Sequence, residues 1–209
     1  MWPSLMAFLN TGLIASLIKG GVITIPLLVA SLISVAVMLE RLHFWWRLCA
    51  RAVDDTILTF AEEGKLQDAW RVASRSRHPV DCVLAAGLAA KHQSPGMAMQ
   101  AAAQMELSQA RRYMPILDTV ITLAPLLGLL GTITGMISAF GIVSEAGLGQ
   151  PHAITGGIAE ALIATGTGLL IAIITLIPYN YFRAKVEQLA DTLEERETRL
   201  ELLLSSREG

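Results

Sequence analysis

Charge is scarce in this 209-residue chain, and the scarcity is concentrated. Three runs contain no Asp, Glu, Lys or Arg: Gly20–Leu39, Thr119–Ser144 and Ala161–Phe182, of 20, 26 and 22 residues. A helix needs about 20 residues to cross a bilayer. Charged residues make up 16% of the chain, against about 25% in a soluble domain, and the mean hydropathy is +0.53. Cysteine is nearly absent. Cys49 and Cys82 form no disulfide framework, their spacing fits no metal motif, and they read as inert thiols. His43, His78, His92 and His152 are scattered over different segments, so no metal site is expected. There is no nucleophile elbow and no paired-carboxylate motif. The GTITG at 131–135 lies inside an uncharged run and lacks the lysine of a phosphate loop. Nothing here supports an enzyme or a cofactor. A net charge of −2, with no basic aromatic patch, gives no sign of nucleic-acid binding.

What charge there is falls in two blocks. Residues 41–118 hold ten Lys/Arg and eight Asp/Glu, and residues 183–209 hold five and seven. Lys and Arg near span ends mark the inner side of a membrane. Arg41, Arg47 and Arg51 follow the first run, Arg111 and Arg112 precede the second, and Arg183 and Lys185 follow the third. The 145–160 stretch has neither Lys nor Arg, and the N-terminal segment has only Lys19. Phe44, Trp45 and Trp46 after span one, and Tyr179, Tyr181 and Phe182 at the end of span three, read as interfacial aromatics on the same inner side. The first run is too long and too late for a cleaved signal, and no basic n-region precedes it. The expected fold is an all-α integral membrane protein with three transmembrane helices, N-terminus outside and C-terminus inside. Its parts are an outer amphipathic segment (1–19), span one (20–40), an inner helical region (41–115), span two (116–144), an outer loop (145–159), span three (160–182) and an inner helical tail (183–209).

Residues 1–18 place Trp2, Leu5, Phe8 and Leu9, then Leu13, Leu17 and Ile18, at helical spacing. They read as an interfacial helix or as a mobile apolar terminus. In the inner region, helices are expected from about Leu42 to Glu63, from Lys65 to Ser74 and from Val80 to His92. His78–Pro79 marks a break. Ser94–Pro95–Gly96 reads as a turn before a helix that begins near Met97 and runs into span two, with Pro115 and Pro125 as bends. The tail lacks Gly and Pro from Arg183 to Ser206 and carries a stripe of Val186, Leu189, Leu193, Leu200 and Leu203 or Leu204. It reads as a continuation of span three. The stripe is equally suited to packing within the subunit or against a neighbour.

Spans two and three are not uniformly greasy. On a helical wheel, Gly128, Gly131, Thr132, Gly135, Ser138 and Ala139 share one side of span two. In span three, Ala161, Thr165, Gly168 and Ala172 form a stripe, with Ala164 and Thr167 beside it. Small residues let helix backbones approach closely in lipid. Gly128, Gly131, Gly135, Gly168 and Ala172 are read as packing residues. Thr132 and Thr165 are open to two readings, hydroxyls satisfied within tight helix packing or hydroxyls lining a pore. Glu160, just before span three, is either part of an ion path or an anchor near a helix N-terminus. Neither span has an ionisable group at mid-membrane, so any titrating group there must come from a partner, a water chain or Glu160.

These segments also carry a family resemblance. IKGGVITIPLLVASLISVAVMLERL (18–42), LDTVITLAPLLGLLGTITGMISAF (117–140) and GGIAEALIATGTGLLIAIITLIPYNYF (156–182) resemble the three spans of the MotA/TolQ/ExbB proton-channel family, most closely its ExbB/TolQ branch. The one departure is Pro178, which sits slightly later than the proline common in span three. The resemblance implies a multi-pass protein of the bacterial inner membrane, with N-terminus periplasmic and C-terminus cytoplasmic. It further implies a pentameric homo-oligomer whose spans two and three surround a pore. A single-span ExbD/TolR-like partner would occupy that pore and supply an intramembrane aspartate, and membrane lipid would surround the ring. Flow of ions, most simply protons, would then drive a TonB-like energy transducer for outer-membrane import, or, in a TolQ-type role, envelope constriction. By motif position, Thr132 and Thr165 would be the pore-facing hydroxyls and Glu160 the pore-mouth carboxylate.

Overall fold

The computed structural model describes residues 22–49, 55–146 and 151–208. All regular structure among them is helical: α1 Thr24–Cys49, α2 Thr56–Glu62, α3 Leu66–Ala73, α4 Pro79–Ala89, α5 Pro95–Ala110, α6 Met114–Ala146 and α7 Pro151–Glu208. Three of these, α1, α6 and α7, are long and apolar enough to cross a membrane. The expected 1–19 segment lies outside the described residues. The chain divides into two compact units, one built from residues up to Leu39 and from Pro115–Tyr179, the other from Glu40–Met114 and Asn180–Gly209.

The first unit is nearly inside out. Its buried cluster is small: Leu27 and Ala30 of α1 meet Val120 and Ala124 of α6, with Ile23, Leu127 and Ile171 against them. Most large apolar side chains point outward, among them Leu32, Leu126, Ile137, Leu162 and Ile177. No more than 33% of any apolar window is buried. A water-soluble surface does not carry apolar patches on that scale, whereas lipid solvates them without cost.

The second unit has an ordinary water-soluble core. Ile57, Leu58, Val80, Val83, Leu84, Leu88 and Met99 are buried in its short helices. Five residues of the tail stripe, Val186, Leu189, Leu193, Leu200 and Leu204, are buried in the same chain, so the stripe packs within the subunit. Arg196 pairs with Asp55 and Arg199 with Glu62, each at 2.5 Å, tying the tail to α2. The α2–α3 turn uses Gly64 at φ 84°, a left-handed conformation that glycine adopts without a Cβ penalty. His78 caps α4, its Nδ1 accepting from the Val80 amide at 3.3 Å, and Pro79 takes the first helical turn.

Several expectations need correction. Pro95 and Gly96 open helix α5 rather than forming a turn before it, because proline's fixed φ suits a first turn and its missing N–H costs nothing there. The expected helix from Leu42 to Glu63 appears as the end of α1 and as α2, with residues 50–54 outside the described set. The rise into span two is not one helix. It stops at Ala110, turns through Arg111–Tyr113 with Tyr113 at φ 65°, and restarts at Met114. Pro115 therefore sits in a new first turn and does not bend an old helix. The 145–159 loop is mostly helical, since α6 runs to Ala146 and α7 begins at Pro151. Trp45 and Phe182, expected in interfacial belts, are 4% and 2% exposed and belong to the core, whereas Trp46 and Tyr181 are exposed.

Candidate ion pathway on the paired membrane helices

Helices α6 and α7 meet along a ladder of small residues in antiparallel register. An ideal Cβ on Gly131 would lie 2.5 Å from Ala164 Cβ, and one on Gly135 would lie 2.9 Å from Ala161 Cβ. On Gly157 it would lie 2.9 Å from Ala139 Cβ, and on Gly168 it would lie 2.4 Å from the Ala124 carbonyl oxygen. Real Cβ atoms do not approach that closely, so the spacing of the two helices depends on hydrogen at these positions. Ala172 is buried one turn beyond Gly168. Gly141, Gly156 and Gly166 have nothing within 4 Å of such a Cβ and take no part in the ladder.

Thr165 sits in the middle of this contact. Its Oγ1 donates to the Gly128 carbonyl on the opposite helix at 2.8 Å. An ideal Cβ on Gly128 would lie 3.0 Å from Thr165 Cα, so the glycine also makes room for the bond. Thr132 behaves differently. Its Oγ1 donates within its own helix, to the Leu129 carbonyl at 2.6 Å. The Gly128 carbonyl is also the i−4 acceptor for the Thr132 backbone amide in a regular helix. One peptide oxygen therefore connects the two threonines. Ser138, placed on the small face by the wheel, is exposed.

Glu160 is the tenth residue of α7 and half-buried. It lies about two and a half turns from the start of α7, past the first turn in which the helix dipole acts. At about 100° per residue, Glu160 and Thr165 are separated by about 140° around the helix, whereas Thr167 falls within about 20° of Glu160. The helix therefore does not bring Glu160 and Thr165 onto one face. Thr167 is half-buried and donates to the Ile163 carbonyl at 2.8 Å.

Sequence reasoning read Arg41 as an inner-side charge and missed its role. Its side chain is 2% exposed. It donates to the Gln109 and Ala110 carbonyls, at 3.0 and 3.2 Å, at the C-terminus of α5. A second nitrogen reaches Glu40 at 2.7 Å. The guanidinium also lies 4.6 Å from the Phe44 ring centre and 5.6 Å from that of Tyr113. A planar cation at the end of a helix satisfies carbonyls that have no partner there. The available signal was the position of Glu40–Arg41 directly after an uncharged run. No group of three or more His, Cys, Asp or Glu able to hold a metal occurs among the described residues.

Residues 75–195 match the MotA/TolQ/ExbB proton channel family. The chain belongs to that family. It is 35% identical over 201 residues to the putative biopolymer transport protein ExbB-like 1 of Synechocystis, an alignment covering 91% of this chain and 78% of that one. A second Synechocystis relative, ExbB-like 3, is 32% identical over 88% of this chain and 91% of its own length. The Tol-Pal system protein TolQ of Haemophilus influenzae is 38% identical over 89 residues, covering 43% of this chain and 39% of TolQ. As a family member, the protein is an ExbB/TolQ-type channel and energising subunit, multi-pass in the inner membrane, and not an enzyme.

Proposed function

We propose that this chain forms the ring half of a proton channel and that ion flow through the assembled complex energises TonB-dependent import across the outer membrane. In this reading the N-terminus is periplasmic, the Glu40–Met114 region and the tail are cytoplasmic, and five copies surround a single-span ExbD/TolR-like partner. The observation that carries the reading is the state of the threonine hydroxyls. Thr165 donates to Gly128 O and Thr132 to Leu129 O. Carbonyl oxygens can only accept, so both hydroxyl protons are committed and each Oγ1 presents lone pairs alone. Such oxygens accept from water, hydronium or a protonated carboxyl group. They give a carboxylate nothing. With no Asp, Glu, His, Lys or Arg between 119 and 144 or between 161 and 182, the partner's aspartate would titrate against them.

The energy available is about 2.3 kcal/mol per charge per 100 mV, plus the ion gradient. The deciding experiment is proton uptake into vesicles holding this chain with its partner, compared with Thr165→Val and Thr132→Val. Uptake equal to wild type in both variants, at equal protein content, would remove the role assigned to them. A TolQ-type role in envelope integrity is the second reading, supported by the 89-residue TolQ match. Rescue of a tolQ-deficient strain but not an exbB-deficient one would select it. A non-conducting scaffold predicts activity that survives a protonophore.

A further inference from the structure

A cavity of about 370 Å³ lies in the second unit, walled on one side by a single face of α1 that carries Glu40, His43, Phe44 and Arg47. Arg77, just before α4, and Glu106 of α5 close the other sides. Its charges are unevenly satisfied. Glu40 is taken by Arg41. Glu106 is half-buried and makes no hydrogen bond or ion pair with the described residues, and Arg47 makes none either. A half-buried carboxylate and an exposed guanidinium thus line one cavity, neither with an ion-pair partner among the described residues. Burial raises the Glu106 carboxyl above its ordinary value.

Along α1, the cavity begins where the uncharged run stops. Glu40 is the first charged residue after the uncharged run that ends at Leu39. From Glu40 to Arg47 the helix rises about 10 Å, comparable with the headgroup layer of about 5 to 8 Å on each side of the hydrocarbon. Trp46, on the same turn as Arg47, is 74% exposed, as an interfacial aromatic is.

We propose that this cavity binds the phosphoethanolamine headgroup of a membrane phospholipid, Arg47 taking the phosphate and Glu106 the ammonium. A zwitterion of that size satisfies both orphaned charges at once. The ammonium is the discriminating part. A primary ammonium has three N–H donors for a carboxylate, the trimethylammonium of phosphatidylcholine has none, and phosphatidylglycerol has no cation. The site shares no residue with the α6–α7 pathway and stands whether or not the channel reading does.

The full chain in nanodiscs of phosphatidylcholine with increasing phosphatidylethanolamine, followed by native mass spectrometry of retained lipid, tests this without any flux measurement. Wild type should retain phosphatidylethanolamine over phosphatidylcholine by roughly tenfold, the scale of one charge-assisted hydrogen bond. Glu106→Gln, nearly isosteric, should abolish that preference while keeping the same helical content by circular dichroism. Arg47→Gln should lower retention of both lipids together. Equal retention of the two lipids by wild type, or an unchanged preference in Glu106→Gln, would overturn the proposal. Displacement of the lipid by soluble phosphoethanolamine at millimolar concentration would assign the cavity to a free ligand and overturn the lipid as its source.

Discussion

Thr165 gives its hydroxyl proton to the Gly128 carbonyl on the facing helix, 2.8 Å away. The bond does two things. It joins α6 to α7 within their small-residue contact, and it fixes Thr165 Oγ1 as an acceptor. Valine is nearly the same shape and removes both effects. Serine keeps the bond. In bilayers such interhelical hydrogen bonds average about 0.6 kcal/mol, too little to unfold the protein. Thr165→Val should therefore accumulate normally and assemble, yet lose most proton uptake with the partner present, while Thr165→Ser retains a large part of it. Equal loss in both variants would make the methyl group, not the hydroxyl, the working part.

The glycine ladder makes a sharper structural prediction, because it comes with its own controls. A Cβ at Gly168 would meet the Ala124 carbonyl at 2.4 Å, and backbone cannot swing aside as a side-chain tip can. Gly168→Ala should force the helices apart at a cost of about 1–3 kcal/mol, the range for overpacking. It should lower the thermal midpoint in detergent. Gly166→Ala, two residues away and with nothing within 4 Å, should leave the midpoint unchanged or slightly raised.

Arg41 should be the least replaceable charge in the second unit. Its guanidinium serves two carbonyls, one carboxylate and two rings, and is almost fully buried. Arg41→Gln leaves the two carbonyls at the end of α5 without their cation and the exposed Glu40 without its partner. The expected cost is about 1–3 kcal/mol, read as a fall in folded yield and in the unfolding midpoint. Arg41→Lys should recover little of it, since a point ammonium does not reproduce a planar fork. Exposed Arg71, paired with Asp68 on the surface, should tolerate glutamine with almost no change.

The spans were legible because lipid imposes a simple rule, a long uncharged run, and three such runs are present. The small-residue stripes were legible for a similar reason, and Gly128, Gly131, Gly135 and Gly168 lie where the helices touch. What escaped was whatever depends on a partner distant in sequence. Nothing near Tyr113 announces a helix break, because the break is stabilised by Arg41, some 70 residues earlier. Trp45 and Phe182 look interfacial by position and are core by packing. The different fates of the Thr132 and Thr165 hydroxyls depend on which helix lies opposite, and a wheel of one helix cannot carry that. Glu160 stood at a helix start because 145–159 read as loop, whereas α7 begins at Pro151.

The Glu106 carboxyl offers a test by pH. Burial raises it above its ordinary value, so the folded chain holds that proton more tightly than the unfolded chain does. Stability from this group is then highest below the ordinary carboxylate pKa of about 4.3 and declines as pH rises through the raised folded value. In phospholipid-free detergent, Glu106→Gln should unfold at a higher temperature than wild type at pH 7 to 8. The difference should shrink steadily on acidification and vanish near pH 4. A constant difference across that range would mean that the carboxylate's charge is not what burial penalises there. Adding phosphatidylethanolamine at pH 7 should stabilise wild type more than the variant, because the lipid ammonium supplies the missing counter-charge.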